Sequence, residues 1–252
     1  MIKNTCCIIL LLIVSSCGIS EDCFKGNGNQ IIQSFPLEGF HKIEVHDGVA
    51  LLVKEGPEYE VKIETRDNIL NNIEVKLEND MLIIKDNSTC NLTRDYGLTK
   101  AIITIPNGIN LPIIPELELH SKTEQNISSE GPIHSPIVRL FSLDESDASG
   151  TGDFYLEIEN TQVVIESNTV SNFFISGLSE QMLLNFYYGN GRFHGENLSV
   201  KNINIFQRGS NDMIVKPIEK IEGTIYATGN VILKHIPPLI NVEEKYTGRL
   251  IY

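Results

Sequence analysis

The side chains best placed to do chemistry are carboxylates. Asp144, Glu145, Ser146 and Asp147, followed by Asp153, crowd acidic groups into one short stretch. Such a group can supply the acid and base of glycoside cleavage, or oxygen ligands for Ca²⁺. In a chain of net charge −13 the same run also reads as a solvated loop. Trp is absent, so a sugar groove would have to stack on tyrosine, as Tyr187-Tyr188 could. Other chemistries lack their residues. The six histidines stand at positions 41, 46, 120, 134, 194 and 235 with no H-E-x-x-H, and His41 and His46 fall on opposite faces of a strand. Gly26-Asn27-Gly28 and Gly189-Asn190-Gly191 read as turns, and no phosphate-cradling loop or dinucleotide fingerprint accompanies them. No serine sits in a nucleophile elbow. From these residues no catalytic side chain, metal ligand or cofactor is assigned. The expectation is a non-enzyme, with a β-helical polysaccharide hydrolase or lyase as the alternative.

The elements that would position any site come next. The chain has 252 residues, 41% of them hydrophobic, with 20 basic against 33 acidic side chains. There is enough apolar material for a packed core, which excludes a disordered chain. The acidic balance repels phosphate backbones, so nucleic acid is not an expected partner.

The first residues set an address. Met1-Ile2-Lys3-Asn4 is a short positive start, Cys6 to Val14 is apolar, and Ser15-Ser16-Cys17 follows. That is the build of a secretory signal, too short to span a bilayer as a helix. Val14-Ser15-Ser16-Cys17 resembles a bacterial lipobox, in which the cysteine is acylated and becomes the mature N-terminus. An ordinary cleaved signal is the plainer reading. On the lipobox reading, residues 1–16 are the signal, Cys17 is the lipid anchor, 17–36 form a tether and N-terminal segment, and 37–252 form a single domain. Ser20-Glu21-Asp22 resembles an acidic export signal for surface lipoproteins. The expected location is the cell envelope, as an outer-membrane lipoprotein facing the periplasm or the cell surface, with the membrane as partner through the lipid. Of the cysteines left after Cys17, Cys23 and Cys90 make an even pair in an oxidising compartment, which favours a disulfide over a two-cysteine metal site lacking further ligands.

Period-two alternation begins at His41 and recurs at 59–64 and 73–77, 49–53 runs apolar, 81–84 and 101–105 read as further strands, and a short helical turn is expected near 68–73. Residues 24–36 read as a loop or a loose first strand. No segment makes an amphipathic helix of three turns. The second half repeats a small or polar residue, a second polar one, then an apolar run. The apolar residues Phe154, Phe173, Phe193, Met213 and Val231 are spaced 19, 20, 20 and 18 apart. Val163, Leu183 and Ile203 keep a second spacing of 20 and 20. A period near 20, built of short strands, predicts an all-β solenoid with an internal phenylalanine ladder. A β-sandwich with evenly spaced hairpins is the alternative.

The lipobox Cys17, Glu21-Asp22-Cys23, Phe40-His41-Lys42-Ile43-Glu44-Val45, Asn68-Ile69-Leu70, Leu82-Ile83-Ile84 and Thr89-Cys90-Asn91-Leu92-Thr93-Arg94 together resemble the head GIN domain family of auto-transporter-adhesin-like envelope lipoproteins. The resemblance covers most of the chain after Cys17, strongest over 21–105. It implies a right-handed parallel β-helix, no established enzymatic activity, and retention of the two cysteines at Cys23 and Cys90. It also points to a display surface, with a glycan or an envelope protein as the ligand. Leu178 and Glu196 follow glycines where the family turns more tightly, and Pro112–Pro136 reads as irregular.

Overall fold

The computed structural model describes residues 21–88, 90, 92–93, 95–107, 114–144 and 149–252. The signal-like segment, Cys17, Thr89, Asn91, Arg94 and the Glu145-Ser146-Asp147 part of the acidic run lie outside the described residues. The alternating stretches of the first half form strands β1 (Gln30–Phe35), β2 (Lys42–His46), β3 (Val49–Gly56), β4 (Glu60–Arg66), β5 (Ile73–Glu78), β6 (Met81–Asp86) and β7 (Thr99–Pro106). Strands β8 (Glu116–Lys122), β9 (Ile127–Ile133) and β10 (Ile137–Ser142) follow. Then come four long strands, β11 (Phe154–Ser167), β12 (Phe173–Phe186), β13 (Phe193–Gln207) and β14 (Met213–Ile225), and three short ones, β15 (Val231–Leu233), β16 (Leu239–Glu244) and β17 (Leu250–Ile251). A 3-10 turn at Leu70–Asn72 occupies the expected helical turn.

Parallel pairing between successive coils makes this a β-solenoid and excludes the sandwich. One face stacks β6, β2, β8 and β10, then the second halves of β11 to β14, then β16. The other stacks β7, β3 and β9, then the first halves of β11 to β14, then β15 and β17. The core lies between the two faces. Phe154, Phe173, Phe193, Met213 and Val231 are in register and fully buried, so the period-20 ladder is real. Phe154 and Phe173 stack with ring centroids 4.6 Å apart and planes at 15°. Coil spacing explains this: neighbouring strands sit about 4.8 Å apart, which is also a comfortable separation for parallel rings.

The two residues before each rung have a physical meaning. The first sits at a corner pressed against the preceding coil. A Cβ on Gly152 would lie 1.9 Å from the Gln125 carbonyl oxygen, and one on Gly191 2.4 Å from that of Ser171. Ser171 takes the same place with its hydroxyl turned inward, 2.8 Å from Ser142 Oγ; Ser142 Oγ also lies 2.7 Å from Thr169 Oγ1. The buried hydroxyls thus satisfy one another at the corner.

Three features differ from the sequence-based expectation. The period is not built of short strands; β11 to β14 each run continuously from one face onto the other, so one corner of each coil is a bend inside a strand. Leu183 is not equivalent to Val163 and Ile203. Met182 is in register with both and buried, whereas Leu183 points outward and is 36% exposed. The run Met182-Leu183-Leu184 is apolar throughout, so its phase was hidden and only the pairing reveals it. The stretch expected to be irregular contains β8 and β9, both in parallel register with their neighbours. Among its described residues, the pairing of β9 with β11 carries a register shift.

The N-terminal half is wound out of order. The β2–β3 coil lies between the earlier-in-space β6–β7 coil and the β8–β9 coil. Antiparallel strands close that end: β5 on β6, β4 on β7, and β1 on β4. This caps strand edges that would otherwise invite pairing with another chain. Cys23 and Cys90 are disulfide-bonded across 67 residues. Two hydrogen bonds between Asn27 and Asp95 and one from Thr93 Oγ1 to the Lys25 carbonyl hold the same loop. Replacing both cysteines with serine should lower the unfolding free energy by roughly 4 kcal/mol, because the unfolded chain regains that loop's freedom. Denaturant titration of the double variant checks this, and an unchanged midpoint would contradict it.

Candidate functional site

Of the sequence-predicted acidic residues, the two that are described, Asp144 and Asp153, have separate partners. Asp144 makes an isolated bridge with Ser149, and its N–H donates to Asn168 Oδ1. Asp153 lies at the edge of the second face, where its Oδ1 accepts from the Asn172 backbone N–H at 2.8 Å and from Asn172 Nδ2 at 3.0 Å. Asp212 accepts in the same way from Asn230, at 3.0 Å for both bonds. The carboxylates of the repeat thus bind the next coil together. Tyr187 donates to Glu166 at 2.9 Å, and Tyr188 accepts from Asn168 Nδ2 at 2.9 Å. The two tyrosines serve neighbouring coils of the first face rather than a groove. His41 pairs with Asp80 at 3.3 Å and His46 with Glu44 at 2.7 Å, so the two histidines have separate partners. Among the described residues no group of three or more His, Cys, Asp or Glu is placed to hold a metal ion.

An acidic cleft of about 170 Å³ sits at the capped end, lined by Asp47, Asp86, Asp95, Tyr96 and Glu124 among others. It was not legible in the sequence, because its carboxylates come from turns far apart in the chain. Burial, and then the Glu124 charge, push the Asp47 carboxyl above its usual range. The loop held by the disulfide forms one wall.

The larger continuous feature is the outward surface of the second face. In a strand, alternate residues point out, and parallel register places one such residue from each coil in a straight row. Leu52, Ser128, Tyr155, Phe174, His194 and Ile214 form this row in register, and it continues through Ile232 to Ile251. Three rings in it are stacked. Tyr155 and Phe174 have centroids 4.8 Å apart and planes at 3°, and Phe174 and His194 are 4.5 Å apart at 8°. Beside the row runs a polar line: Asp153 N–H donates to Asn126 Oδ1 at 3.2 Å, and the Asp153–Asn172 and Asp212–Asn230 pairs continue it. The repeat motif does not reveal the outer row, because Tyr155, Phe174 and His194 differ in chemistry and only their shared position relates them.

The first face carries a different surface. Glu44 accepts from His46 and lies 3.5 Å from Lys122 Nζ, and His120 stacks on Phe141 at 4.4 Å. The His46 hydrogen bond holds the Glu44 carboxyl below its usual range against the opposing effect of burial, with Lys122 adding to it. Charged pairs mark that face around β2 and β8, and its ring contacts continue at Tyr187, Phe206 and Tyr226. Among the described residues no helix is long and apolar enough to cross a membrane.

Comparison with solved structures supports the architecture. The chain is similar to a putative adhesin from Bacteroides fragilis, at 16% identity and TM-score 0.76, over 90% of this chain and 98% of that one. It is also similar to putative adhesins from Parabacteroides distasonis and Parabacteroides merdae. These have 11% and 14% identity and TM-scores of 0.61 and 0.58, over 90% of this chain and 99% and 98% of theirs. At such identities the likeness speaks for the fold alone. No curated protein matches the sequence. A family model does, over residues 39–237, from just before β2 to just beyond β15. With the solenoid and the expected head GIN resemblance in agreement over most of its length, the chain belongs to the family described as "Putative auto-transporter adhesin, head GIN domain".

Proposed function

We propose that the chain is a lipid-anchored cell-envelope protein whose solenoid displays a non-catalytic, adhesin-like binding surface. The observation that carries this reading is the outer row of the second face. It runs unbroken from coil to coil, with three stacked rings at its centre and a hydrogen-bonded polar line beside it. A rigid rod of this kind offers an extended face rather than an enclosed chamber. Of the carboxylates favoured by a hydrolase reading, Asp153 spends Oδ1 on two bonds from Asn172. Family membership supports the adhesin-like role. Cys17 supplies the attachment to the membrane, since two or more acyl chains anchor stably where one binds marginally.

Protease shaving of intact cells, combined with mass spectrometry of the mature N-terminus, tests the reading. The expected result is an acylated Cys17 as the first residue and loss of peptides from residues 37–252 on shaving. An unmodified Cys17 would refute the anchor, and complete protection of those peptides would refute display at the cell surface.

A further inference from the structure

Phe174 is covered on both ring faces, by Tyr155 on one side and His194 on the other. Tyr155 ends the stack. Its second ring face looks toward the coil of β9, where the residue in register is Ser128. A serine side chain is too short to cover a phenol ring, and this one folds down to donate to the Leu51 carbonyl at 3.2 Å. Tyr155 is accordingly 42% exposed. One coil further, in the same row, comes Leu52. Two coil spacings separate Tyr155 from Leu52, about 10 Å along the axis. A saturated six-membered ring in contact on both sides needs about 8 Å between its neighbours. The row therefore contains a slot one coil wide, with an aromatic wall, an aliphatic wall and a serine floor.

The rims of the slot are polar. On one side stand Asn126 and Asp153, joined by the 3.2 Å bond from Asp153 N–H to Asn126 Oδ1. Asp153 Oδ2 also accepts from the Tyr155 hydroxyl at 3.4 Å. Burial, followed by the Asp153 charge and hydrogen bond, hold that hydroxyl above its usual range. On the other side are the exposed carboxylates Glu130 and Glu157, with Lys54 in register beside Glu130. Carboxylates and an amide accept hydrogen bonds from hydroxyl groups, and the flat apolar side of a sugar ring packs on an aromatic face. An acidic rim in a chain of net charge −13 disfavours a sugar carrying its own carboxylate.

We infer that Tyr155, Ser128 and Leu52 form a stacking slot for one neutral pyranose unit of a glycan, oriented by Asn126, Asp153 and Glu157. The inference rests on the display reading above and gives that surface a ligand class.

Saturation-transfer NMR on the full chain tests it, with lactose, maltose and diacetylchitobiose as neutral probes and sialyllactose as the anionic one. At least one neutral disaccharide should receive saturation at its ring C–H groups, and sialyllactose should receive none. Tyr155→Ala should weaken that binding by about tenfold or more. Ser128→Phe fills the slot while leaving Tyr155 in place, so it should abolish binding without lowering the melting temperature. Tyr226→Ala, which removes an exposed ring elsewhere on the solenoid, should leave binding unchanged. The slot is overturned if no neutral probe binds, if binding survives Ser128→Phe, if sialyllactose binds equally well, or if Tyr226→Ala weakens binding as much as Tyr155→Ala. The shaving experiment reads display independently: a shaved, acylated protein that binds no sugar loses the slot and keeps the display role. A slot that binds sugar in a protein protected from shaving does the reverse.

Discussion

Phe173→Ala should cost about 3–5 kcal/mol of unfolding free energy. Phe173 is a middle rung of the internal ladder with no exposed surface. Its ring stacks on Phe154 at 4.6 Å and meets Phe186, from the opposite face, at 5.7 Å and 46°. The vacated space cannot close by collapse. The backbone on either side is held by the bonds from Phe154 N–H to the Asn172 carbonyl at 2.8 Å and from Phe173 N–H to the Arg192 carbonyl at 2.9 Å. Removing the ring thus loses the transfer free energy and leaves a cavity that the coil spacing preserves. Phe174→Ala, one residue on and outward-facing, is the control, because it deletes the same atoms from a partly solvated row. Denaturant unfolding of both variants decides the point. A Phe173→Ala cost no greater than that of Phe174→Ala would mean that the ladder does not carry the core.

Gly177→Ala is expected to be of similar severity, roughly 2–6 kcal/mol, from backbone strain and steric overlap acting together. Gly177 has φ of +109°, which L side chains rarely adopt. A Cβ there would stand 2.0 Å from the Ile158 carbonyl oxygen of the neighbouring coil. That oxygen belongs to a backbone held in register and cannot swing aside as a flexible side chain could. Gly131→Ala separates the two contributions. Gly131 has φ of +80° but nothing within 4 Å of its would-be Cβ, so it should cost only about 1 kcal/mol. Thermal melts of the two variants provide the comparison, and equal losses would show that the close approach at Gly177 contributes nothing.

How far the sequence could be read depended on where the repeat was regular. Phe154, Phe173, Phe193, Met213 and Val231 kept their spacing through the second half, so the solenoid and its inner ladder were legible from residue types alone. The pair Cys23 and Cys90 was legible by the same kind of counting. Alternation also marked most strands of the first half. It could not say that the β2–β3 coil would lie between β6–β7 and β8–β9, since a period-two pattern reports which side of a strand is buried and not which strand lies next to it. The same limit hid Met182 inside the apolar run Met182-Leu183-Leu184. It also concealed the acidic cleft, whose walls come from Asp47, Asp86, Asp95 and Glu124.

The slot beside Tyr155 shows the division most clearly. Alternation along β11 turns Tyr155 away from the core, opposite the buried Phe154. What stands over its open ring face was decided only by tertiary structure, because Ser128 and Leu52 come from coils outside the regular repeat. Parallel pairing between coils is non-local: each strand chooses its neighbour through backbone hydrogen bonds available to any sequence, so side-chain order along the chain leaves that choice unwritten.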